Sequence, residues 1–97
     1  SNSVYENALE PLQHERARFF DALRNIPKVT VFPTEANFLM IQLHNITAKE
    51  LTKRLLKEYN MLIKDLSDKV GRNYIRIAVR SREDNDKMIA AIRQIVT

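Results

Sequence analysis

Tyr74-Ile75-Arg76-Ile77-Ala78-Val79-Arg80, followed at once by Ser81-Arg82-Glu83-Asp84-Asn85, is the stretch on which the reading of this chain turns. It alternates with a period of two. As a strand it places Ile75, Ile77 and Val79 on one face and Tyr74, Arg76, Ala78 and Arg80 on the other. The first face is plain core. The second carries two guanidiniums whose Cα atoms, four residues apart, would lie roughly 13 Å from each other at ~3.3 Å per residue. An apolar strand with two arginines on one side either has that side in water or offers it to an anion, and the alternation leaves both readings open.

Outward from this strand, the helical and extended periodicities order the chain as helix, strand, strand, helix, strand, strand, helix. Residues 4–26 read as a helix with Tyr5, Leu9, Leu12, Arg16, Phe19, Leu23 and Ile26 along one stripe, a break near Glu10 imposed by Pro11, and a stop at Pro27. Val29 to Phe32 reads as a short strand. Asn37 to Leu43 reads as a second, apolar on both sides apart from Gln42 and so expected to be covered on both. Thr47-Ala48-Lys49-Glu50 has the form of a capping box, opening a helix that buries Leu51, Leu55, Leu56 and Tyr59 and stops at a left-handed Asn60. Met61 to Asp65 is the third strand and Leu66 to Asn73 a loop. After the strand quoted above, Ser81 caps a last helix with Met88, Ile89, Ile92, Ile95 and Val96 on its apolar stripe. Strand pairs separated by a helix, with each helix amphipathic on one side, predict an α+β two-layer sandwich: a mostly antiparallel four-stranded sheet with helices on one face. Its other face would show Arg76, Arg80 and Lys64 among apolar residues and would meet a partner or ligand.

Composition narrows the chemistry. The 97 residues suit one domain and are few for a complete metabolic enzyme. The net charge of +4 comes from spread basic residues, with Lys49, Lys53, Arg54 and Lys57 interleaved with Glu50 and Glu58 as on a solvated helix face. No apolar run approaches a membrane span, and the lack of cysteine fits a reducing, cytoplasmic setting. Ser1-Asn2-Ser3 reads as a cleavage scar joined to an internal fragment of a longer chain. A single glycine excludes a phosphate-cradling loop within the fragment. His14 and His44 have no second histidine at ligand spacing, so no metal is expected. The aromatics Phe38 and Tyr74 lack the glycine-aromatic pattern of the RNA-recognition motif, so an RNA-binding module is the distant alternative and no nucleic acid is expected.

Four segments carry a resemblance. Ile26-Pro27 with Val29-Thr30-Val31-Phe32-Pro33, then Ala36-Asn37-Phe38-Leu39, then Leu62-Ile63-Lys64-Asp65-Leu66, then Tyr74 to Val79 with Glu83 to Asp86 behind, occur in the order and spacing of one family. The chain resembles the C-terminal small domain of fold-type I (class I/II) pyridoxal-phosphate-dependent aminotransferases, nearest the subgroup of histidinol-phosphate aminotransferase and threonine-phosphate decarboxylase. The resemblance implies that residues 1–97 are that domain and that Arg76 binds the substrate α-carboxylate. A planar fork can hold the substrate so that the bond to be broken at Cα stands perpendicular to the cofactor ring. It implies a phosphate-side anion contact at Lys64, where the family often has an arginine, and a further one at Arg80, basic as in threonine-phosphate decarboxylase where histidinol-phosphate aminotransferases have glycine. Asn37 would shape the strand entry. The Schiff-base lysine and the phosphate cup for pyridoxal phosphate would belong to a large domain preceding residue 1, so the fragment would have no catalytic residue of its own. An amino-acid or 2-oxo-acid substrate and a homodimer in the full-length enzyme complete the expectation, with decarboxylation of a phosphorylated amino acid as the alternative to transamination.

Overall fold

The computed structural model describes the backbone of residues 2–97 and the side chains of residues 11–97. Helix α1 runs Asn2–Arg24, strand β1 Val29–Phe32, strand β2 Phe38–Leu43, helix α2 Ala48–Tyr59, strand β3 Lys64–Asp65, strand β4 Tyr74–Ala78 and helix α3 Arg82–Val96. The sheet order is β1-β2-β4-β3, and every pairing is antiparallel. All three helices pack on one face. Phe19 and Leu23 of α1, Leu51 and Leu55 of α2, and Met88, Ile89 and Ile92 of α3 close over Leu39, Ile41, Ile75 and Ile77 in one buried cluster. This is the two-layer α+β sandwich that the periodicities predict.

Local chemistry explains the element ends. The Thr47 hydroxyl accepts from the Glu50 amide at 3.2 Å and starts α2. At the other end of α2, Asn60 adopts φ 57°, and the Asn60 and Met61 amides donate to the carbonyls of Leu56 and Leu55, which satisfies groups the helix leaves free. The Ser81 hydroxyl accepts from the Asp84 amide at 3.1 Å and starts α3. Glu83 and Asp84 in that first turn favour its dipole.

Several expectations need correction. Helix α1 continues through Pro11, because one missing amide donor leaves the ladders on either side intact. It ends at Arg24, where the Asn25 side chain donates to the Asp21 carbonyl, two residues short of the predicted end. Leu12 is 66% exposed because it lies a turn beyond Glu15, the residue that meets the start of α3. Tyr5 and Leu9 lie outside the described side chains. In α2 the buried positions are Ala48, Leu51 and Leu55. Leu56, one residue on and about 100° around the helix, is 49% exposed. Strand β3 is two residues long, since Met61 is still completing the α2 cap. Strand β2 is covered on one side only: Leu39, Ile41 and Leu43 are buried, while Phe38 is exposed and Met40 and Gln42 are half-buried.

One polar network joins the layers. Asn85, only 1% exposed, is the single buried polar residue among those described. Its Oδ1 accepts from the Arg80 amide at 3.1 Å, and its Nδ2 donates to the Arg80 carbonyl at 3.0 Å and to Glu15 Oε2 at 2.7 Å. Arg18 donates to both Glu15 oxygens at 2.9 Å and pairs with Asp86 at 2.8 Å, so α1 is pinned to α3 through charge-assisted bonds. The Arg18 bonds, opposed by burial and aided by Asn85, hold the Glu15 carboxyl below its ordinary pKa.

Replacing Asn85 by Leu strands the Arg80 amide and carbonyl and takes one of two donors from Glu15 Oε2, so the chain should lose about 2–3 kcal/mol in urea unfolding. Leu56→Ala on the half-exposed side of α2 should cost less than about 1 kcal/mol. Glu15 also predicts a pH dependence. Its folded pKa lies below the unfolded one, so its stabilisation is complete above the ordinary glutamate value of about 4.3 and is lost as pH falls through the folded value. The stability gap between the native chain and Glu15→Gln, measured by thermal unfolding, should be largest near pH 7 and close on acidification below about pH 4.

Candidate functional site

The open face of the sheet is built by register. Arg76 on β4 stands opposite Met40 of β2 on one side and Lys64 of β3 on the other. Directly opposed residues project from the same face, so two cations share one cross-strand pair. Like charges in that arrangement repel unless a counter-charge lies between them. Among the described residues no carboxylate pairs with Arg76 or Lys64. The nearest acid in sequence, Asp65, sits half-buried and is occupied: its Oδ1 accepts from the Ser67 amide at 2.8 Å and the Ser67 hydroxyl at 2.6 Å. Those two bonds hold the Asp65 carboxyl below its usual range.

A depression of about 470 Å³ lies here, lined by Asn37, Phe38, Leu62, Lys64, Arg76 and Ala78. Its floor is the sheet and its rim is apolar on one side, where Leu62 is 75% exposed. The Arg76 guanidinium carbon stands 4.7 Å from the centroid of the Phe38 ring. Phe38 pairs in register with Ala78, the small neighbour of Arg76 on the same face, so the ring is left open to the arginine across the diagonal. The Asn37 carbonyl accepts from the Val79 amide at 2.8 Å, extending the β2–β4 ladder by one bond at the strand entry.

Arg80 is not part of this depression. Strand β4 ends at Ala78, and the Arg80 amide and carbonyl are taken by the Asn85 side chain instead of a neighbouring strand. Its own side chain turns to Asp84, Nε to Oδ2 at 3.1 Å. Arg76 and Lys64 are thus brought together and Arg80 is set apart, where the alternation put Arg76 and Arg80 on one strand face. Phe38 and the Glu15–Arg18–Asp86–Asn85 network escaped the sequence pattern. Glu15 and Arg18 are three apart in a helix, the spacing of an ion pair, but their partners on α3 are 70 or so residues away and only folding joins them.

Among the described residues no group of three His, Asp or Glu could hold a metal ion, and His44 Nε2 is bonded to the Thr30 hydroxyl at 2.7 Å. Among the described residues no helix is long and apolar enough to cross a membrane.

Comparison with known proteins places the fold. The chain is 38% identical over 95 residues to an L-serine phosphate decarboxylase of Sulfurospirillum multivorans, covering 95% of this chain and 24% of that protein. It is 34% identical over 97 residues to histidinol-phosphate aminotransferase 2 of Archaeoglobus fulgidus, covering 98% of this chain and 27% of the relative. Among solved structures, a decarboxylase from Sulfurospirillum multivorans superposes with a TM-score of 0.92 at 37% identity, over 98% of this chain and 28% of that one. The histidinol-phosphate aminotransferase of Clostridium acetobutylicum superposes at 0.80 with 30% identity, over 87% of this chain and 26% of the other. The chain therefore spans about a quarter of the length of these relatives. A family model described as aminotransferase class I and II matches residues 2–92, nearly the whole chain, and the protein belongs to that family.

Proposed function

We propose that residues 1–97 are the small domain of a pyridoxal-phosphate-dependent enzyme that acts on amino acids, and that Arg76 binds the substrate α-carboxylate. The observation that carries this is the cross-strand pairing of Arg76 with Lys64, two exposed cations without a carboxylate partner among the described residues. A carboxylate fits the Arg76 fork through two parallel N–H···O bonds, and Lys64 beside it suits a second anionic group as a point charge. A phosphorylated amino acid carries both groups. Arg80 is the third anion contact of this reading, available to substrate when its Asp84 pair opens.

The residues present do not fit the cofactor itself. A lysine that forms an imine with pyridoxal phosphate works with its amine uncharged, in a desolvated or cationic setting. Every lysine of this chain is exposed to water. The cofactor would be held by a large domain of the same polypeptide, and the chain's own contribution is to bind and orient: Arg76 fixes the carboxylate end, Lys64 draws the far anion, and Leu62 with Phe38 supplies apolar walls. Transamination is the first reading, from the aminotransferase family model and the histidinol-phosphate aminotransferase relatives. Decarboxylation is favoured as a second reading by the similarity to an L-serine phosphate decarboxylase. Homodimerisation and a cytoplasmic location belong to the same proposal.

The test uses the full-length enzyme with two probes, L-serine phosphate and ethanolamine phosphate, which differ by the carboxylate alone. Arg76→Lys should weaken binding of L-serine phosphate by about 10- to 100-fold, the worth of a charge-assisted bidentate contact, and leave ethanolamine phosphate within twofold. Lys64→Ala should weaken both probes alike. Pyridoxal phosphate affinity, followed by absorbance, should not change in either variant. Equal loss of the two probes in Arg76→Lys would remove the carboxylate role from Arg76.

A further inference from the structure

Phe38 is an exposed aromatic at the start of β2 whose ring meets a cation rather than core. We propose that Phe38 is a positioning residue: its ring face holds the Arg76 guanidinium in place while leaving the arginine's N–H groups free for the ligand. This deepens the carboxylate-binding reading of Arg76 and rests on it.

An exposed arginine on an open sheet face has many rotamers, and binding must restrict them. A carboxylate neighbour would restrict them too, but would occupy the fork that the ligand needs. An aromatic face attracts the cation through its quadrupole and takes none of the five N–H donors as a hydrogen-bond partner. At 4.7 Å the Arg76 carbon is well inside the roughly 6 Å reach of that attraction. The contact is built into the sheet. Phe38 faces Ala78 across the β2–β4 ladder, and the methyl of Ala78 is too short to cover the ring. The bond from the Val79 amide to the Asn37 carbonyl, one residue before Phe38, secures the backbone on which the ring stands. The ring therefore has a defined place, and the arginine two residues from Ala78 on the same face reaches it diagonally. Lys64 stands on the far side of Arg76, so the ring and the ammonium flank the guanidinium from opposite neighbouring strands. Repulsion by Lys64 and attraction by Phe38 act in the same direction on the arginine, toward the ring.

The experiment is a double-mutant cycle in the full-length enzyme, using kcat/KM for the best substrate from a panel of L-amino acids and their phosphate esters. Phe38→Leu should lower kcat/KM about threefold to thirtyfold, the span of a cation–π contact from exposed to desolvated settings. Phe38→Tyr should restore it to within twofold. In the Arg76→Lys background Phe38→Leu should cost clearly less than it does alone, because the guanidinium it positions is gone. Stepwise fluorination of the Phe38 ring, which strips electron density from its face with little change of shape, serves if Phe38→Leu fails to fold. Activity should fall with each fluorine when Arg76 is present and stay level in Arg76→Lys. If Arg76→Lys alone leaves kcat/KM unchanged, the carboxylate reading fails. If Arg76→Lys is impaired while Phe38→Leu and the fluorinated rings are not, or if the two losses multiply independently, that reading stands and the positioning role of Phe38 is overturned.

Discussion

The carboxamide of Asn85 stands in for a missing strand. Past Val79, whose amide still donates to the Asn37 carbonyl, the backbone leaves the sheet, and an unpaired amide and carbonyl inside a protein are costly. Asn85 offers an acceptor and a donor on one planar group, and takes both the amide and the carbonyl of Arg80. Its second N–H reaches Glu15 on α1, where Arg18 neutralises the carboxylate and passes on to Asp86 of α3. Strand end, helix start and the docking of a helix 70 residues earlier in sequence are thereby settled at one place. Hydrophobic burial holds the layers together, but it is non-directional and would tolerate sliding. The network gives the packing an address.

A consequence reaches the far side of the sheet. Once β4 is fixed between β2 and β3 with its apolar residues under the helices, its alternate residues must face away from them. Arg76 is delivered to the open side beside Lys64 and over Phe38 with no freedom to choose otherwise. The core and the open cationic face are two readings of one strand. A slip of a single residue would bury the guanidinium and expose Ile75 and Ile77, so the stability of the sandwich enforces the geometry of the site.

The two arginines of the strand illustrate how context separates residues that look alike. Arg80 lies four residues from Arg76 and in the same alternation, yet the strand ends between them. One is presented by the sheet with its donors unspent. The other is captured by Asp84, four residues on, at the start of the next helix.

Residue order by itself determined the element types, the caps at Thr47, Asn60 and Ser81, and which face of β4 is core. Each follows from interactions within a few residues: periodicity, a hydroxyl on the third amide, a left-handed asparagine. The order of four motifs also carried the resemblance to the family that the comparison with known proteins then showed. Lys64 was named from the third strand and Arg76 from the fourth, but nothing in their positions says that they oppose each other. That pairing, the ring beneath Arg76, the turn of Arg80 toward Asp84, and the Glu15–Asn85 bond were decided by tertiary structure alone. The physical reason is that cross-strand register and helix docking depend on contacts between residues 12 to 70 positions apart, whose partners local propensity does not specify.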